Sequence, residues 1–342
     1  MAVLGATGAV GQRLVGLLAG HPWFEIAALF ASEQRDGLPY GDAAHWLLPD
    51  PPPPGVLRMP VQKPCPEGLE ADLVFSALET GAASTLEPLF RDAGFTVVSN
   101  ASAFRDDPEV PLVIPEVNAG HLALADRQRK RHGGCIVTNP NCSTIGLCLS
   151  LEPLRRAFGL RRVLVTTLQA LSGAGHPGVP SLDALDNVLP SIAGEVEKLE
   201  REPLKIFGRL GASGVEPGDL TVGAQCNRVP VRDGHLLSVS VETERPATPG
   251  EAEAAFAAYE SPLASRGLPS APLRPVVLTG GAMRPQPALD REASGGMAVT
   301  VGQLRRCPVL GLRYVALVHN TLRGAAGGTL LIGELLAGRG GG

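Results

Sequence analysis

Short apolar runs alternate with amphipathic stretches through the first part of the chain. The runs that predict strands are Ala2–Leu4, Ile26–Phe30, Leu73–Ser76, Thr96–Ser99, Pro111–Ile114 and Cys135–Thr138. Helical periodicity lies between several of them, near Gln12–Leu18, Ala82–Ala93 and Ala119–His132. Since neighbouring parallel strands need a crossover between them, this alternation predicts an α/β domain with a mostly parallel, doubly wound sheet.

The pattern becomes less regular after residue 142. Strands are predicted at Val163–Leu168, Thr221–Val222, Leu236–Glu242, Met297–Gly302 and Arg313–Val318, with helices near Leu182–Asn187 and Glu195–Phe207. This order predicts an α+β domain in which a mixed sheet carries helices on one face. A chain of 342 residues is long for one core. We therefore expect one domain at 143–319 and another at 1–142 plus 320–342, to which the predicted helix Thr329–Leu336 returns.

Charge and cysteine usage narrow the possible partners. The formal net charge of −4 argues against a nucleic acid or an anionic membrane surface. No apolar run is long enough to predict a membrane span, and no stretch reads as a secretory signal. The six cysteines form no CxxC pair, so no metal site is predicted, and free thiols are typical of a cytoplasmic protein.

A glycine-rich turn follows the first predicted strand directly. It reads Gly5-Ala6-Thr7-Gly8-Ala9-Val10-Gly11 and leads into a helix. Gly5 permits the tight turn, Gly8 lets the backbone approach a pyrophosphate, and Gly11 allows the helix to pack on the strand. Strand, turn and helix together predict a Rossmann-type dinucleotide site with phosphates at the helix N-terminus. The strand itself looks clipped at its start.

The residues after the second strand bear on which dinucleotide binds. Ser32 and Arg35 could hold a 2′-phosphate, which favours NADP. Glu33 could instead accept from a free 2′-hydroxyl, so NAD stays possible, and solvated loop charges are the third interpretation. We favour NADP.

Cys142 is the strongest candidate nucleophile. It follows a strand and a Pro-Asn turn and comes at or near the start of a helix, where a thiol pKa is lowered. Most cysteines are buried and inert, and the other five thiols lack an activating context. The chemistry indicated is attack by a thiolate, which forms a covalent intermediate.

Several separated blocks resemble the aspartate-semialdehyde dehydrogenases, in the branch found in archaea and fungi. The blocks lie at 139–144, 167–175, 178–183, 186–190, 194–198, 226–231, 233–235 and 320–328. The resemblance implies reduction of L-aspartyl 4-phosphate to L-aspartate 4-semialdehyde with NADPH, in biosynthesis of lysine, methionine and threonine. It also implies inorganic phosphate as co-reactant, and a homodimer or homotetramer assembled through the second domain.

The same resemblance implies roles for individual residues. The catalytic set is Cys142 as nucleophile, His235 as general acid/base and Gln169 as a residue that orients the acyl group or a water. The substrate set is Arg228 for the α-carboxylate, Glu195 for the ammonium group, and Lys198, Arg105 and Asn141 for the phosphate. Without the resemblance, His235 reads as a surface histidine, His176 competes with it, and Glu195 with Lys198 reads as an exposed helical ion pair.

The residues expected to contact the cofactor come from the glycine turn, the strand ends and two later motifs. They are Gly5, Thr7, Gly8, Ala9, Val10, Gly11, Ser32, Arg35, Ser76, Ser172, Gly173, Asn320 and Thr321. The chain departs from the family branch at Gln34, where an arginine is common and the basic residue here comes one position later. This departure bears directly on the choice between NADP and NAD.

Two other functions are consistent with parts of the pattern. A related acyl reductase, such as a malonyl-CoA reductase, would keep the fold and the cysteine, although Glu195 and Arg228 favour an amino-acid substrate. An N-acetyl-glutamyl-phosphate reductase fits less well, because an acetylated amine has no need of Glu195. A non-catalytic nucleotide-binding protein would keep the fold alone.

Overall fold

The computed structural model describes residues 1–338, and its first sheet is entirely parallel. The elements of this part are β1 (Ala2–Leu4), α1 (Ala9–Leu18), β2 (Ala28–Phe30), α2 (Tyr40–Ala43), β3 (Val61–Gln62), β4 (Leu73–Ser76), α3 (Thr80–Asp92), β5 (Thr96–Ser99), α4 (Pro115–Asn118), α5 (Ala123–His132) and β6 (Cys135–Thr138). The strand order is β3-β2-β1-β4-β5-β6. The order reverses between β1 and β4, and the crevice at such a switch point is where doubly wound sheets bind ligands.

The second sheet is mixed and carries helices on one face. Its part of the chain comprises α6 (Cys142–Phe158), β7 (Arg162–Gln169), α7 (Ser181–Ala184), α8 (Glu195–Ile206), β8 (Arg209–Leu210), β9 (Val215–Glu216), β10 (Thr221–Arg228), β11 (His235–Glu242), α9 (Pro249–Ala258), β12 (Val276–Leu278), α10 (Pro287–Asp290), β13 (Val299–Cys307) and β14 (Gly311–Val318). The order is β10-β7-β11-β14-β13-β12, with β8 and β9 forming a separate hairpin. Helices α6, α8 and α9 pack against the six strands.

The end of the described chain returns to the first sheet. A π-helical turn, Leu322–Ala326, leads into α11 (Gly327–Ala337), which packs against β4 and β5. Buried residues of α11 belong to the same apolar core as those of α1 and β1. The predicted fold class, a Rossmann-type sheet followed by a mixed α+β sheet, is confirmed. None of the helices within residues 1–338 is long and apolar enough to span a bilayer.

Three local predictions were wrong in extent or type. Residues 111–114 form no strand, because Pro115 starts α4 after Leu112 has made only an isolated bridge to Thr138. The predicted helix at 182–187 ends at Ala184, and Asp186 has a left-handed φ of 55° that a helix cannot continue through. Strand β10 extends to Arg228, because its later residues pair with β7 along their whole length.

Candidate active site

A cleft of about 310 Å³ lies where the carboxyl ends of the first sheet meet the second sheet. It brings together many residues that the sequence had singled out from distant segments. Those that line it are Ala9, Val10, Arg105, Asn141, Cys142, Gln169, Ser172, Gly173, Glu195, Lys198, Asn320 and Thr321.

Cys142 is the first residue of α6, as the sequence predicted. The side chain of Asn141 caps this helix, since its Oδ1 accepts from the backbone N–H groups of Ser143 and Thr144 at 2.9 and 3.2 Å. The cap fixes the backbone on both sides of the thiol. The nucleophile therefore stands on a rigid helix start rather than on a mobile loop.

The pKa of the Cys142 thiol is raised to about 12, mainly by burial and then by the nearby charge of Glu195. Arg105, the backbone N–H of Ser143 and Arg228 lower the pKa, but by less. The helix start alone had predicted a lowered pKa, and that expectation was wrong for the free protein. The π-helical turn covers one side of the half-buried Cys142, because a Cβ placed on Gly324 would lie 2.7 Å from the Cβ of Cys142.

This raised pKa predicts how the free protein reacts with an alkylating agent. The rate of Cys142 modification by iodoacetamide should rise about tenfold per pH unit across the range 7–10 without a plateau, because only the thiolate reacts. Glu195→Gln removes a charge that raises the pKa, so it should react faster than the wild type at every pH. Peptide mass spectrometry with time measures both rates. A plateau below pH 8 in the wild type would contradict the raised pKa.

His235 and Arg228 lie directly behind Gly173. A Cβ placed on Gly173 would come within 2.7 Å of Arg228 Nη1 and 3.1 Å of His235 Nε2, so any side chain there would push against both. Arg228 is buried, and its Nη1 also donates to the carbonyl oxygen of Ala170 at 2.8 Å. The fully buried His235 is no surface histidine.

The ring of His235 is held in one tautomer. Its Nδ1 accepts from the backbone N–H of Ala170 at 3.0 Å, so the neutral ring carries its proton on Nε2. Burial, followed by the charge of Arg228, lowers the pKa of His235 to about 3. Nε2 is buried without a partner within residues 1–338. His235 and Arg228 do not line the cleft themselves, but the ring can present its N–H towards Gly173, which does.

Glu195 forms the centre of a polar cluster rather than an exposed ion pair. The carboxylate is buried and accepts from Lys198 Nζ at 2.9 Å, from Asn141 Nδ2 at 2.9 and 3.0 Å, and from Gln169 Nε2 at 3.1 Å. Burial raises its pKa, but Lys198 and the amide donors together bring the pKa below its ordinary value. An ionised carboxylate is thus available beside the thiol.

Arg105 is buried and is no ordinary loop charge. Its Nη1 donates to Glu202 at 3.0 Å and its Nη2 donates to the carbonyl oxygen of Asn100 at 2.7 Å. Its Nε is buried without a partner within the described residues. With Lys198, it places two cationic side chains around the same cleft as Cys142.

The glycine turn fits the phosphates of a dinucleotide. Gly5 has a φ of 72°, which favours glycine, and a Cβ on Gly11 would lie 2.1 Å from the carbonyl oxygen of Gly5. At Gly8 a Cβ would meet only one atom, at 3.5 Å, so the space in front of it is open. Helix α1 has no side-chain cap, and Ala9 and Val10 face the cleft, which leaves first-turn N–H groups for an anion.

The other expected cofactor residues lie in two places. Asn320 lines the cleft, where its Nδ2 donates to Ser172 Oγ at 2.8 Å and its Oδ1 accepts from the backbone of Gly234 at 2.8 Å. Thr7, Ser76, Ser32 and Arg35 do not line the 310 Å³ cleft; Ser76 is completely buried and Ser32 is exposed after β2. The end of β2 is nevertheless hydrogen-bonded to the glycine turn, so Ser32 and Arg35 share its edge of the sheet.

The site also contains residues to which the sequence motifs assigned no role, among them Ser102, Thr80 and Glu202. Ser102 and Thr80 line the cleft, with their hydroxyl oxygens 2.9 Å apart. Glu202 contacts Arg105 from α8, and its spacing of seven residues from Glu195 could have placed it on the same helix face. No group of His, Cys, Asp or Glu in the part of the chain that the structure describes is arranged to hold a metal ion.

Known proteins resemble both parts of this chain. The model of the "Semialdehyde dehydrogenase, NAD binding domain" family matches residues 1–125, and that of the "Semialdehyde dehydrogenase, dimerisation domain" family matches residues 151–323. A curated aspartate-semialdehyde dehydrogenase from Archaeoglobus fulgidus is 49% identical over 98% of this chain and 96% of its own length. The chain belongs to the aspartate-semialdehyde dehydrogenase family.

Other aspartate-semialdehyde dehydrogenases extend the match to fungi. The relative from Schizosaccharomyces pombe is 44% identical over 99% of this chain and 98% of its own length. The crystal structure of the Candida albicans enzyme with NADP has a TM-score of 0.93 and 41% identity, and it covers 99% of this chain and 98% of that chain. The family resemblance seen in the motifs, including its archaeal and fungal character, is confirmed.

Proposed function

We propose that this protein catalyses the reversible, NADP-dependent reductive dephosphorylation of L-aspartyl 4-phosphate to L-aspartate 4-semialdehyde. The reaction belongs to the biosynthesis of lysine, methionine and threonine. The observation that carries the proposal is one cleft that joins Cys142, at a capped helix start, to the cations Arg105 and Lys198. Membership of the aspartate-semialdehyde dehydrogenase family gives the substrate.

Cys142 forms and releases the covalent intermediate. Its thiolate attacks the acyl carbon, the carbon–oxygen bond to phosphate breaks, and phosphate departs to leave a thioester. NADPH, when bound, supplies a hydride to the thioester carbon. The carbon–sulfur bond of the resulting thiohemiacetal then breaks and returns the thiolate. Gln169, beside Glu195 in the cleft, orients the acyl group.

His235 acts on the oxygen of the reacting carbonyl. Its Nε2–H donates a hydrogen bond to the oxygen as negative charge develops there, and the negative charge returns to sulfur when the carbon–sulfur bond of the thiohemiacetal breaks. The fixed tautomer and the lowered pKa of His235 support a neutral donor in the resting protein. Arg228, adjacent to this ring, binds the α-carboxylate of the substrate through its guanidinium.

The two ends of the substrate meet opposite charges. Glu195 binds the ammonium group, and its pKa, kept below the ordinary value, supports an ionised carboxylate. Arg105, Lys198 and Asn141 bind the phosphate, and the unpaired buried Nε of Arg105 leaves an N–H for one of its oxygens. Malonyl-CoA has no ammonium group for Glu195 to bind at its reacting end. A non-catalytic protein would not need a nucleophilic thiol at a capped helix start.

We propose that NADP is the preferred cofactor and that NAD binds more weakly. The pyrophosphate would contact Gly8 and the first turn of α1, and the 2′-phosphate would contact Ser32 and Arg35 at the end of β2. Asn320 and Ser172 would hold the nicotinamide end. The Candida albicans relative, whose crystal structure contains NADP, supports this assignment.

We also propose a homodimer or homotetramer in the cytoplasm. One face of the second sheet is covered by helices, while the other exposes Leu164 (53%) and Leu168 (37%) on β7. An uncovered apolar sheet face is typical of an association surface. Domains at 1–142 plus 320–342 (of which 339–342 lie outside the described residues) and at 143–319 are consistent with α11 packing on the first sheet. Sedimentation at the mass of a single chain would contradict the assembly.

The experiment that tests the function is a cofactor-reduction assay. Purified protein with aspartate semialdehyde should reduce NADP only when inorganic phosphate is added, and should reduce NAD more slowly. Chloride at equal ionic strength is the control for phosphate. Folded protein that binds NADP but shows no phosphate-dependent reduction would overturn the proposal. Faster NADPH oxidation with malonyl-CoA than with aspartyl phosphate would favour the related acyl reductase.

A further inference from the structure

Glu202, on α8, is a buried carboxylate to which the reaction above assigns no part. The residue is only 3% exposed. Its Oε1 accepts from Arg105 Nη1 at 3.0 Å, and its Oε2 accepts from the backbone N–H of Asn141 at 2.8 Å. One side chain thus joins the loop after β5 to the residue that immediately precedes Cys142.

Both partners of Glu202 belong to the candidate site. Asn141 caps the helix that begins at Cys142, and its amide nitrogen donates to Glu195. Arg105 lines the cleft and keeps an unpaired buried Nε. A buried carboxylate is costly unless it is paired and hydrogen-bonded, so both oxygens of Glu202 must keep their donors.

Helix α8 also fixes the backbone of the Arg105 loop. Lys205, three residues after Glu202, donates from Nζ to the carbonyl oxygens of Arg105, Asp107 and Val110 at 2.7, 2.6 and 2.8 Å. Residues separated by three or four positions share one helix face. One face of α8 therefore carries Lys198 towards the cleft and, further along, Glu202 and Lys205 as anchors of the loop.

We propose that Glu202 is a positioning residue that holds the Arg105 guanidinium at a fixed place relative to the Asn141–Cys142 turn. A phosphate bound by Arg105 then lies at a set distance from the sulfur. The inference rests on the proposed function, because it assumes that Arg105 binds phosphate. Loss of one acceptor oxygen should weaken phosphate binding, because Arg105 can then turn away, while the semialdehyde and NADP keep their own contacts.

The first test compares two glutamine variants of α8. Glu202→Gln keeps the volume but has one acceptor oxygen, so one of the two donors loses its partner. We expect the KM for phosphate to rise about tenfold, a change that corresponds to one hydrogen bond, and the KM for aspartate semialdehyde to change less than about twofold. Glu197→Gln is the control for charge, since the exposed Glu197 lines a pocket with Arg105 and Lys198. Removal of a negative charge by itself favours the binding of an anion. The phosphate KM of the control should therefore be unchanged or lower than that of the wild type.

The second test needs no turnover. Inorganic phosphate should protect Cys142 of the wild type from iodoacetamide, and Glu202→Gln should need about tenfold more phosphate for the same protection. Equal protection of both proteins would overturn the role of Glu202. Failure of phosphate to protect the wild type would instead overturn the proposed function.

A double-mutant cycle separates positioning from a general structural role. In the Arg105→Ala background, Glu202→Gln should change the phosphate KM by less than about twofold, because Glu202 acts through Arg105. An additive tenfold change would contradict the proposal. If Glu202→Gln does not fold, as judged by thermal unfolding, Glu202→Asp serves in its place. Aspartate keeps two acceptor oxygens on a shorter side chain, and we expect a smaller rise in the phosphate KM.

Discussion

Replacing Cys142 by alanine should abolish turnover in both directions, with a loss in kcat of at least about 10⁴-fold. The physical reason is that no other group in the cleft can form the acyl intermediate and later depart from it. Cys142 lies at the capped start of α6, whereas the remaining thiols of the described chain do not line this cleft. The assay is NADP reduction with aspartate semialdehyde and phosphate, measured alongside NADP binding.

Cys148 provides a matched control on the same helix. Its side chain is fully buried in the core of the second domain, and burial raises the pKa of its thiol well above the ordinary value. Cys148→Ala should therefore lower stability slightly and leave kcat within about twofold of the wild type. Wild-type turnover by Cys142→Ala, in protein that binds NADP normally, would show that no thioester forms at this residue.

Replacing His235 by alanine should lower kcat by about 10²- to 10³-fold, the range typical of a lost hydrogen-bond donor to a developing oxyanion. His235→Gln should retain about ten times more activity than His235→Ala, because a glutamine amide can place an N–H near the position of Nε2. This order of activities follows from a ring whose Nδ1 is already occupied by Ala170. Steady-state rates of the two variants with saturating substrates measure it.

The pH dependence gives an independent check on His235. Its pKa is lowered from 6.5 to about 3, so the ring is neutral throughout the range from pH 5 to 8. The plot of kcat/KM against pH should therefore show no change of slope near pH 6.5 that is caused by His235. Wild type and His235→Gln should have the same shape of profile in that range. The surface variant His132→Gln is the control for effects of removing any histidine. A change of slope near pH 6.5 that only the His235 variants lose would contradict the neutral resting state.

Much of the fold could be predicted, because the hydrophobic pattern of most segments matches the place of those segments in the folded protein. The strands of the first sheet are buried on both faces, so they appear as short, continuous apolar runs between helices. Strand β10 was predicted too short because its sequence continues with Gly223, Gln225 and Asn227, which have little apolar signal. Pairing with β7 overrides that weak local preference.

The family motifs predicted which residues form the site but not how the fold changes the pKa of Cys142. Cys142, Gln169, Glu195, Lys198 and Arg105 line one cleft, as the family resemblance implied, whereas Arg228 and His235 lie behind Gly173. The raised pKa of Cys142 could not be read from its place at a helix start, because it comes mainly from burial, to which a distant π-helical turn contributes.

The buried hydrogen bonds of Glu202 and His235 also could not be predicted from the sequence. Glu202 looks like one more charge on an acidic helix until the fold brings Arg105 and Asn141 to its two oxygens. The tautomer of His235 likewise depends on a backbone N–H from β7's end, 65 residues away in the chain. Such contacts come from tertiary structure alone.

A single-turnover experiment without phosphate tests the thioester mechanism most directly. Protein mixed with aspartate semialdehyde and NADP should release a burst of NADPH equal to the concentration of active sites and then stop, since no phosphate is present to remove the acyl group. Peptide mass spectrometry of the quenched sample should find an aspartyl group on Cys142, and added phosphate should restart turnover. Continued NADPH formation without phosphate, or a burst that leaves Cys142 unmodified, would contradict the mechanism.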